Sequence, residues 1–206
     1  MEQMYLYLKN KLKDELNFNP KKILDIGAWN GFWTSNCQLF WPNAHYTCIE
    51  AGAKHKKKLE ECADEVHIAV VGDTHRKVNM HLTKVNSNKV GYTKGSSIFP
   101  WESADEQTDE RDMIPLNSLV GKDVQFDLIK QDVQGAELLI IKGSLEIFQR
   151  ATYILNEVNL NKIGEMPDIN EMNEYMFSIG FNEHRIISDH GQHDQVDVLY
   201  WKSNVD

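Results

Sequence analysis

Three short segments of this 206-residue chain carry side chains whose types and spacing could do chemistry. The first is Asp25-Ile26-Gly27-Ala28-Trp29-Asn30-Gly31, between a short β-rich run (residues 22–26) and a helix-like stretch (residues 30–40). Glycine at such a junction lets the backbone approach a ligand closely. In open α/β sheets, ligands bind outside the carboxyl ends of the strands, where the strand order reverses. The second segment is Ile49-Glu50-Ala51, the end of the next strand. A carboxylate there can accept hydrogen bonds from both hydroxyls of a ribose. Loop and carboxylate together indicate an adenosine-bearing cofactor. The third is Asp127-Leu128-Ile129-Lys130-Gln131-Asp132-Val133-Gln134-Gly135-Ala136-Glu137. Asp132 ends a further strand beside the same switch point. Lys130 is a charge inside an otherwise apolar strand, and buried lysines are rarely left unpaired. An ion pair with Asp132 or Glu157 accounts for it; contact with a substrate oxygen, or service as a base of depressed pKa, is the functional alternative.

Charge chooses between cofactors. A dinucleotide fold uses G-x-G-x-x-G, because the pyrophosphate rests on the helix N-terminus. The loop lacks that pattern, and Asp25 at its start repels phosphate. S-adenosylmethionine carries a sulfonium and an ammonium, so an acidic loop suits it better than it suits NAD.

The elements that must hold these residues alternate along the chain. Residues 5–18 place Tyr5, Leu8, Leu12 and Leu16, with Leu6, at helical spacing, predicting an amphipathic N-terminal helix within residues 1–20. Strands are predicted over 22–27, 46–50, 66–71, 126–132 and 153–158. Helices are predicted over 30–40, 54–63, 136–148 and 169–179, the last closed by Gly180. Residues 77–85 alternate strictly, with Val78, Met80 and Leu82 on one side, which predicts a half-exposed antiparallel strand. Residues 90–108 read as a long loop, and loops of that length are usually functional or disordered; this one is expected to select the substrate, with Trp101 as part of a lid. Residues 183–187 and 196–201 read as a terminal hairpin, whose edge could serve a homodimer. Alternating strand and helix argues a doubly wound, mainly parallel sheet.

Composition sets outer limits. The length fits one domain over 1–206. Hydrophobic residues make up 41% and charged residues 26%, as in an ordinary globular protein. A net charge of -9 argues against a nucleic-acid partner. The run Lys54-His55-Lys56-Lys57-Lys58 reads as the solvated start of a helix. Cys37, Cys48 and Cys62 form no metal or disulfide pattern. No secretory leader or membrane-length apolar run is visible, so a cytoplasmic protein without a membrane partner is expected.

The block around Asp132 resembles the signature of the FkbM-type methyltransferases (Methyltransferase 21), an aspartate in D-V-Q-G-A-E followed by a leucine-rich helix and K-G. Asp25-Ile26-Gly27-Ala28 is similar to that family's cofactor loop, with Trp29 where the family commonly has asparagine. Ile49-Glu50-Ala51, Ala69-Val70-Val71-Gly72, Gly95-Ser96-Ser97-Ile98, the stretch from Ile114 to Leu119, Ile154-Leu155-Asn156-Glu157-Val158 and Val196-Asp197-Val198-Leu199-Tyr200 resemble further family segments. The position of Asn117 is often aspartate there. The resemblance implies a Rossmann-like class I methyltransferase with a mainly parallel seven-stranded sheet and an antiparallel C-terminal hairpin. It implies cofactor contacts from Asp25, Gly27, Ala28, Trp29, Asn30, Gly31, Glu50, Ala51, Ala69, Val70 and Asp132. It implies substrate contacts from Ser96, Ser97 and Gln134, beside Trp101.

Such enzymes mostly methylate hydroxyls, so the implied acceptor is a sugar, glycan or similar small molecule. Asp132 and Glu157, with Lys130, are the implied catalytic groups. Either carboxylate could take the acceptor's proton, and two neighbouring carboxylates raise one pKa. No metal spacing is evident; Mg²⁺ held by Asp132, Glu157 and a histidine such as His190 is the least supported alternative. The competing functions are a silent binding module that keeps the cofactor pocket, an N-methyltransferase on a small acceptor, and an NAD-linked oxidoreductase.

Overall fold

The computed structural model describes residues 2–86, 89–91, 93, 95–100, 104–189 and 194–203. The chain opens with α1 (Glu2–Tyr7), which continues as a π-helix over Leu8–Glu15. Its main elements then follow as β1 (Lys22–Ile26), α2 (Phe32–Gln38), β2 (His45–Glu50), α3 (Lys56–Leu59), β3 (Glu65–Ile68), β4 (Val70–Gly72), β5 (Arg76–Asn86) and β6 (Lys89–Gly91). The second half comprises β7 (Ala104–Pro115), α4 (Leu116–Val120), β8 (Leu128–Gln131), α5 (Glu137–Gly143), α6 (Leu145–Phe148), β9 (Tyr153–Asn159), α7 (Ile169–Ser178), β10 (Glu183–Asp189) and β11 (Gln195–Trp201).

Seven strands form the main sheet in the order β10-β11-β9-β8-β1-β2-β3. The pairings β1–β2, β2–β3, β1–β8 and β8–β9 are parallel, whereas β11 runs antiparallel to both β9 and β10. The predicted parallel sheet and terminal hairpin are thus present. Strand residues alternate between two cores. Leu24, Ile26, Ile129, Ile154, Val198 and Tyr200 pack beneath α4 to α7. Ile23, Leu128, Tyr153, Leu155 and Leu199 pack beneath the N-terminal helix and α2. Burial on both faces explains the consecutive apolar pairs Ile23-Leu24 in β1 and Leu128-Ile129 in β8. Asp168 starts α7 with a capping box: its carboxylate accepts from the N–H groups of Asn170 and Glu171, and its own N–H donates to the Glu171 carboxylate.

Several boundaries differ from expectation. The single strand predicted over 66–71 is two: β3 pairs with β2, and after Ala69 the chain leaves the sheet so that β4 pairs with β7. A second sheet of order β4-β7-β5-β6 results. The two ends of the predicted loop at 90–108 are strand, since β6 reaches to Gly91 and β7 starts at Ala104. Charged residues conceal β7, because its ladder with β5 is made by backbone groups that any residue but proline supplies. The alternation in β5 is real: Val78, Met80 and Leu82 are buried against Val70 and Met113. The helix at 136–148 breaks at Ser144, whose Oγ accepts from the Asn117 N–H at 2.9 Å. The predicted helix at 54–63 shrinks to α3 and a flanking turn. In the first helix Met4, Leu8 and Leu12 are buried, while Leu6 and Leu16 face solvent. The wider π-turn, marked by the Leu16 N–H on Lys11 C=O, rotates Leu16 off the stripe. No helix among the described residues is long and apolar enough to cross a membrane.

Gly143, at the end of α5, lets β4 of the second sheet and the turn after it pack directly on that helix. A Cβ there would lie 2.3 Å from the Gly72 oxygen and 2.5 Å from Asp73 Cα, both backbone atoms that cannot swing away. Gly143→Ala is expected to lower unfolding stability by about 1–3 kcal/mol. Chemical denaturation with an unchanged midpoint would contradict this packing.

Candidate active site

The carboxyl ends of β1, β2 and β8 converge on one cleft. Beyond β1 the chain turns through Gly27 and Trp29, both with left-handed backbones (φ +77° and +47°). The N–H groups of Gly27 and Ala28 donate to the Ile49 carbonyl at 2.9 and 3.1 Å, tying the loop to β2. A Cβ on Gly27 would lie 1.9 Å from the Asp132 carbonyl oxygen, so only glycine allows loop and β8 to touch.

Glu50 is buried and rigidly held. One carboxylate oxygen accepts from the Trp29 N–H at 2.9 Å and the other from the Gly52 N–H at 2.7 Å. Burial pushes its pKa up, against those two donors. Each oxygen retains a lone-pair direction for a ligand. Around it, Ala28, Trp29, Ile49, Ala51, Ala69 and Val70 make apolar walls. The Trp29 ring meets the His55 ring edge-on at 6.1 Å.

At the cleft's other end stands an ion cluster. Lys130 Nζ lies 3.3 Å from Asp25 and 3.2 Å from Asp132, over the Trp33 ring. Burial disfavours the ammonium, but Asp132, Asp25 and Glu157 outweigh it and raise the Lys130 pKa. Burial alone would lift Asp132, yet Lys130 and its hydrogen bonds hold it below the usual carboxylate range. Asp25 is fully buried, takes a 2.8 Å bond from the Thr34 hydroxyl and is pushed up by desolvation. Gln134, in left-handed conformation (φ +56°), donates through Nε2 to Asp132 at 3.0 Å and to Glu157. Glu157 is pushed far up by burial and then by the Asp132 charge. The two carboxyls are thus pushed apart, Asp132 downward by Lys130 and Glu157 upward by burial. Behind them Glu137, fully buried, accepts from the Val133 N–H at 2.8 Å, and burial pushes it up to about 7.

The cleft brings together Gly27, Ala28, Trp29, Glu50, Ala51, Ala69, Val70, Ser96, Lys130 and Asp132 of the residues singled out in the sequence. It does not include Asp25, Asn30, Gly31, Ser97, Gln134 or Glu157 in its wall, each for a visible reason. Asp25 is the buried partner of Lys130. Asn30 accepts from the Phe32 N–H to start α2. Gly31 takes the left-handed turn before that helix. Ser97 is buried and donates to the Gln134 carbonyl at 2.6 Å, bracing the loop. Gln134 and Glu157 support Asp132 from behind. Trp101 and His190 lie outside the described residues. Among the described residues no cluster of three metal-ligating side chains occurs.

Several lining residues were not singled out in the sequence: Met4 and Tyr5 of α1, Met80 of β5, Thr93 and Ile98 beyond β6, and Asp197 of β11. Asp197 carried a signal, as a charge within an apolar strand. Tyr5 looked like one more member of a helical stripe.

In solved structures the same fold recurs among Rossmann-like class I methyltransferases. A candidate O-methyltransferase from Klebsiella pneumoniae is 15% identical, over 98% of this chain and 79% of that one, with a TM-score of 0.53. TomG from Streptomyces achromogenes, an O-methyltransferase involved in tomaymycin synthesis and solved with S-adenosylmethionine, is 11% identical over 97% and 78%, with a TM-score of 0.53. The plantazolicin methyltransferase BpumL, solved with S-adenosylhomocysteine, is 10% identical over 98% and 83%, with a TM-score of 0.50. No curated protein matches the chain. Residues 25–183 match the methyltransferase FkbM domain, and the chain belongs to that family.

The raised Glu137 carboxyl gives a pH signature. A carboxyl whose folded pKa exceeds its unfolded value contributes stability that is complete below the unfolded pKa and lost as pH rises through the folded one. For Glu137 that window runs from about 4.5 to about 7. Glu137→Gln, which cannot titrate, is therefore expected to gain on the wild type between pH 5 and 8, by up to about 3 kcal/mol. Thermal unfolding of both proteins across that range checks it; a pH-independent difference would contradict the assignment.

Proposed function

We propose that this protein transfers the methyl group of S-adenosylmethionine to a hydroxyl of a sugar, glycan or similar small polyol. The observation that carries this reading is the cleft itself, with a backbone-clamped Glu50 at one end and the Lys130–Asp132 cluster at the other. The residues fit the cofactor. Glu50 offers acceptors to two ribose hydroxyls, and the walls from Ile49, Ala51, Ala69 and Val70 suit an adenine ring. Gly27 lets the loop backbone approach the ligand. The excess of carboxylates suits a sulfonium and disfavours the pyrophosphate of NAD.

Bound S-adenosylmethionine supplies an electrophilic methyl group. The chain's own residues orient the acceptor and take its proton. Of the two candidate carboxylates, Asp132 faces the cleft, is ionised and is aimed by Lys130 and Gln134. Its depressed pKa makes it a weak base in the ground state. That suffices, because a hydroxyl oxygen becomes strongly acidic as it gains a methyl group. Glu157, bridged to Asp132 through Gln134, positions Asp132 rather than meeting the acceptor. Alignment of the acceptor oxygen supplies much of the remaining rate.

The test is S-adenosylhomocysteine release from S-adenosylmethionine with panels of sugars and polyols, and with amines as the counter-panel. Release that depends on hydroxylated acceptors and falls roughly 10²–10⁴-fold in Asp132→Asn is expected. Turnover confined to amines, or an Asp132→Asn variant at the wild-type rate, would overturn the proposal.

A further inference from the structure

A second hollow lies between two helices on the side of the main sheet that α4 to α7 cover. There α5 lies against β4 and α7 against β9, and the gap between the two helices is a groove of about 630 Å³. Small-molecule sites have roughly this size, about 300–1,000 Å³. On α7 the groove is lined by Glu171, Glu174, Tyr175 and Ser178, one stripe at helical spacing. Met172 and Met176, on the inner side of the same helix, are buried in the core. A helix stripe that packs on a neighbouring helix is normally apolar. This one is polar, which suits a wet groove rather than contact with α5.

The groove adjoins the cleft across a thin wall made of two chain segments. In the first, Ser96 and Ile98 line the cleft while Phe99 lines the groove. In the second, Val133 and Ala136 line the cleft while Gly135 lines the groove. The Ser97 hydroxyl joins the two segments through its 2.6 Å bond to the Gln134 carbonyl. The loop after β9 seats at the same place, since a Cβ on Gly135 would lie 2.5 Å from Met166 Cγ. The groove therefore opens at the carboxyl edge of β8 and β9, beside the loop that carries Asp132.

Its chemistry limits what it can hold. Arg76, Lys142 and Lys162 are balanced by Glu165, Glu171 and Glu174. Lys162 pairs with Glu171, and Lys142 Nζ stands 5.3 Å from the centre of the Tyr175 ring. A strongly charged ligand of either sign finds no net attraction there. A partner helix needs a continuous apolar groove, which these charges interrupt. An uncharged polyhydroxyl ligand fits. Its hydroxyls donate to carboxylates and accept from ammonium groups, and paired groups of both kinds keep spare bonding directions. Its C–H faces rest on Leu138, Leu139 and Pro167 and against the Phe99 and Tyr175 rings.

Resting on the reading of a hydroxylated acceptor, we infer that this groove binds the non-reacting units of a neutral oligosaccharide, one unit of which presents its hydroxyl at Asp132. The oligosaccharide crosses the Ser97–Gln134 wall and continues between α5 and α7.

The experiment titrates the full chain calorimetrically with neutral gluco-, manno-, galacto- and xylo-hexasaccharides and with the matching monosaccharides. Hexagalacturonate and a mixed-charge peptide of similar length serve as controls. Wild type, Tyr175→Ala and Leu139→Arg are compared, each certified as folded by its thermal unfolding. At least one neutral hexasaccharide is expected to bind about tenfold or more tighter than its monosaccharide and than either control. Each variant should lose about fivefold or more of that gain, by removing an aromatic ring or by filling the groove. The same hexasaccharide should then release S-adenosylhomocysteine from S-adenosylmethionine. The inference is overturned if no neutral hexasaccharide outbinds its monosaccharide, if both folded variants keep the gain, or if the peptide or the polyanion binds best; transfer to a small hydroxylated acceptor would stand in each case. Groove-dependent binding without S-adenosylhomocysteine release would instead overturn the acceptor reading and leave a glycan-binding groove.

Discussion

The buried ammonium of Lys130 is the interaction on which the site depends. A lysine inside a parallel strand carries a desolvation cost of several kcal/mol unless its charge is met. Here Asp25 lies directly opposite it in the β1–β8 ladder, and Asp132 follows two residues along the same strand. That requirement pins the register of the two central strands. A slip of one residue would turn Lys130 to the other face, among Leu24, Ile26 and Ile129. With register fixed, Gly27 meets the Asp132 carbonyl, the loop runs back to Ile49, and Trp29 presents its N–H to Glu50. One ion cluster therefore sets both ends of the cleft.

The face beneath α1 changes character along its strands. Ile23, Leu128, Leu155 and Leu199 make it apolar in the middle of the sheet. Toward the carboxyl edge the same rows become Asp25, Lys130, Glu157 and Asp197. Low dielectric there separates the carboxyl groups by state, with Asp132 held down by Lys130 while Glu157 and Glu137 are pushed up by burial. Sites that must hold one charge and donate or accept one proton are built in this way.

Much of this was legible in the sequence, for physical reasons. Strands buried on both faces announce themselves as apolar runs, and glycine beside a strand end marks the loop. Asp25, Glu50, Lys130 and Asp132 were conspicuous because charge within or at the end of an apolar strand is costly and must be used. What was hidden depends on pairing across long sequence distance. Nothing local distinguishes β7 from a polar loop, and nothing in residues 66–71 says that Ala69 is where the chain changes sheets. The role of Asp25 as the partner of Lys130 needed the register, and the arrival of Tyr5 above the cleft needed the packing of α1.

If the cleft between Glu50 and Asp132 is the proposed cofactor site, it must bind S-adenosylmethionine. Calorimetric titration of the purified chain with S-adenosylmethionine, with NAD as control and Glu50→Ala alongside, tests it most directly. Micromolar, one-to-one binding of S-adenosylmethionine is expected, with no comparable binding of NAD and a loss of at least about tenfold in affinity in Glu50→Ala, as when two hydrogen bonds to a charged group are removed. Folded protein that ignores S-adenosylmethionine, or that binds it equally well without the Glu50 carboxylate, would contradict it.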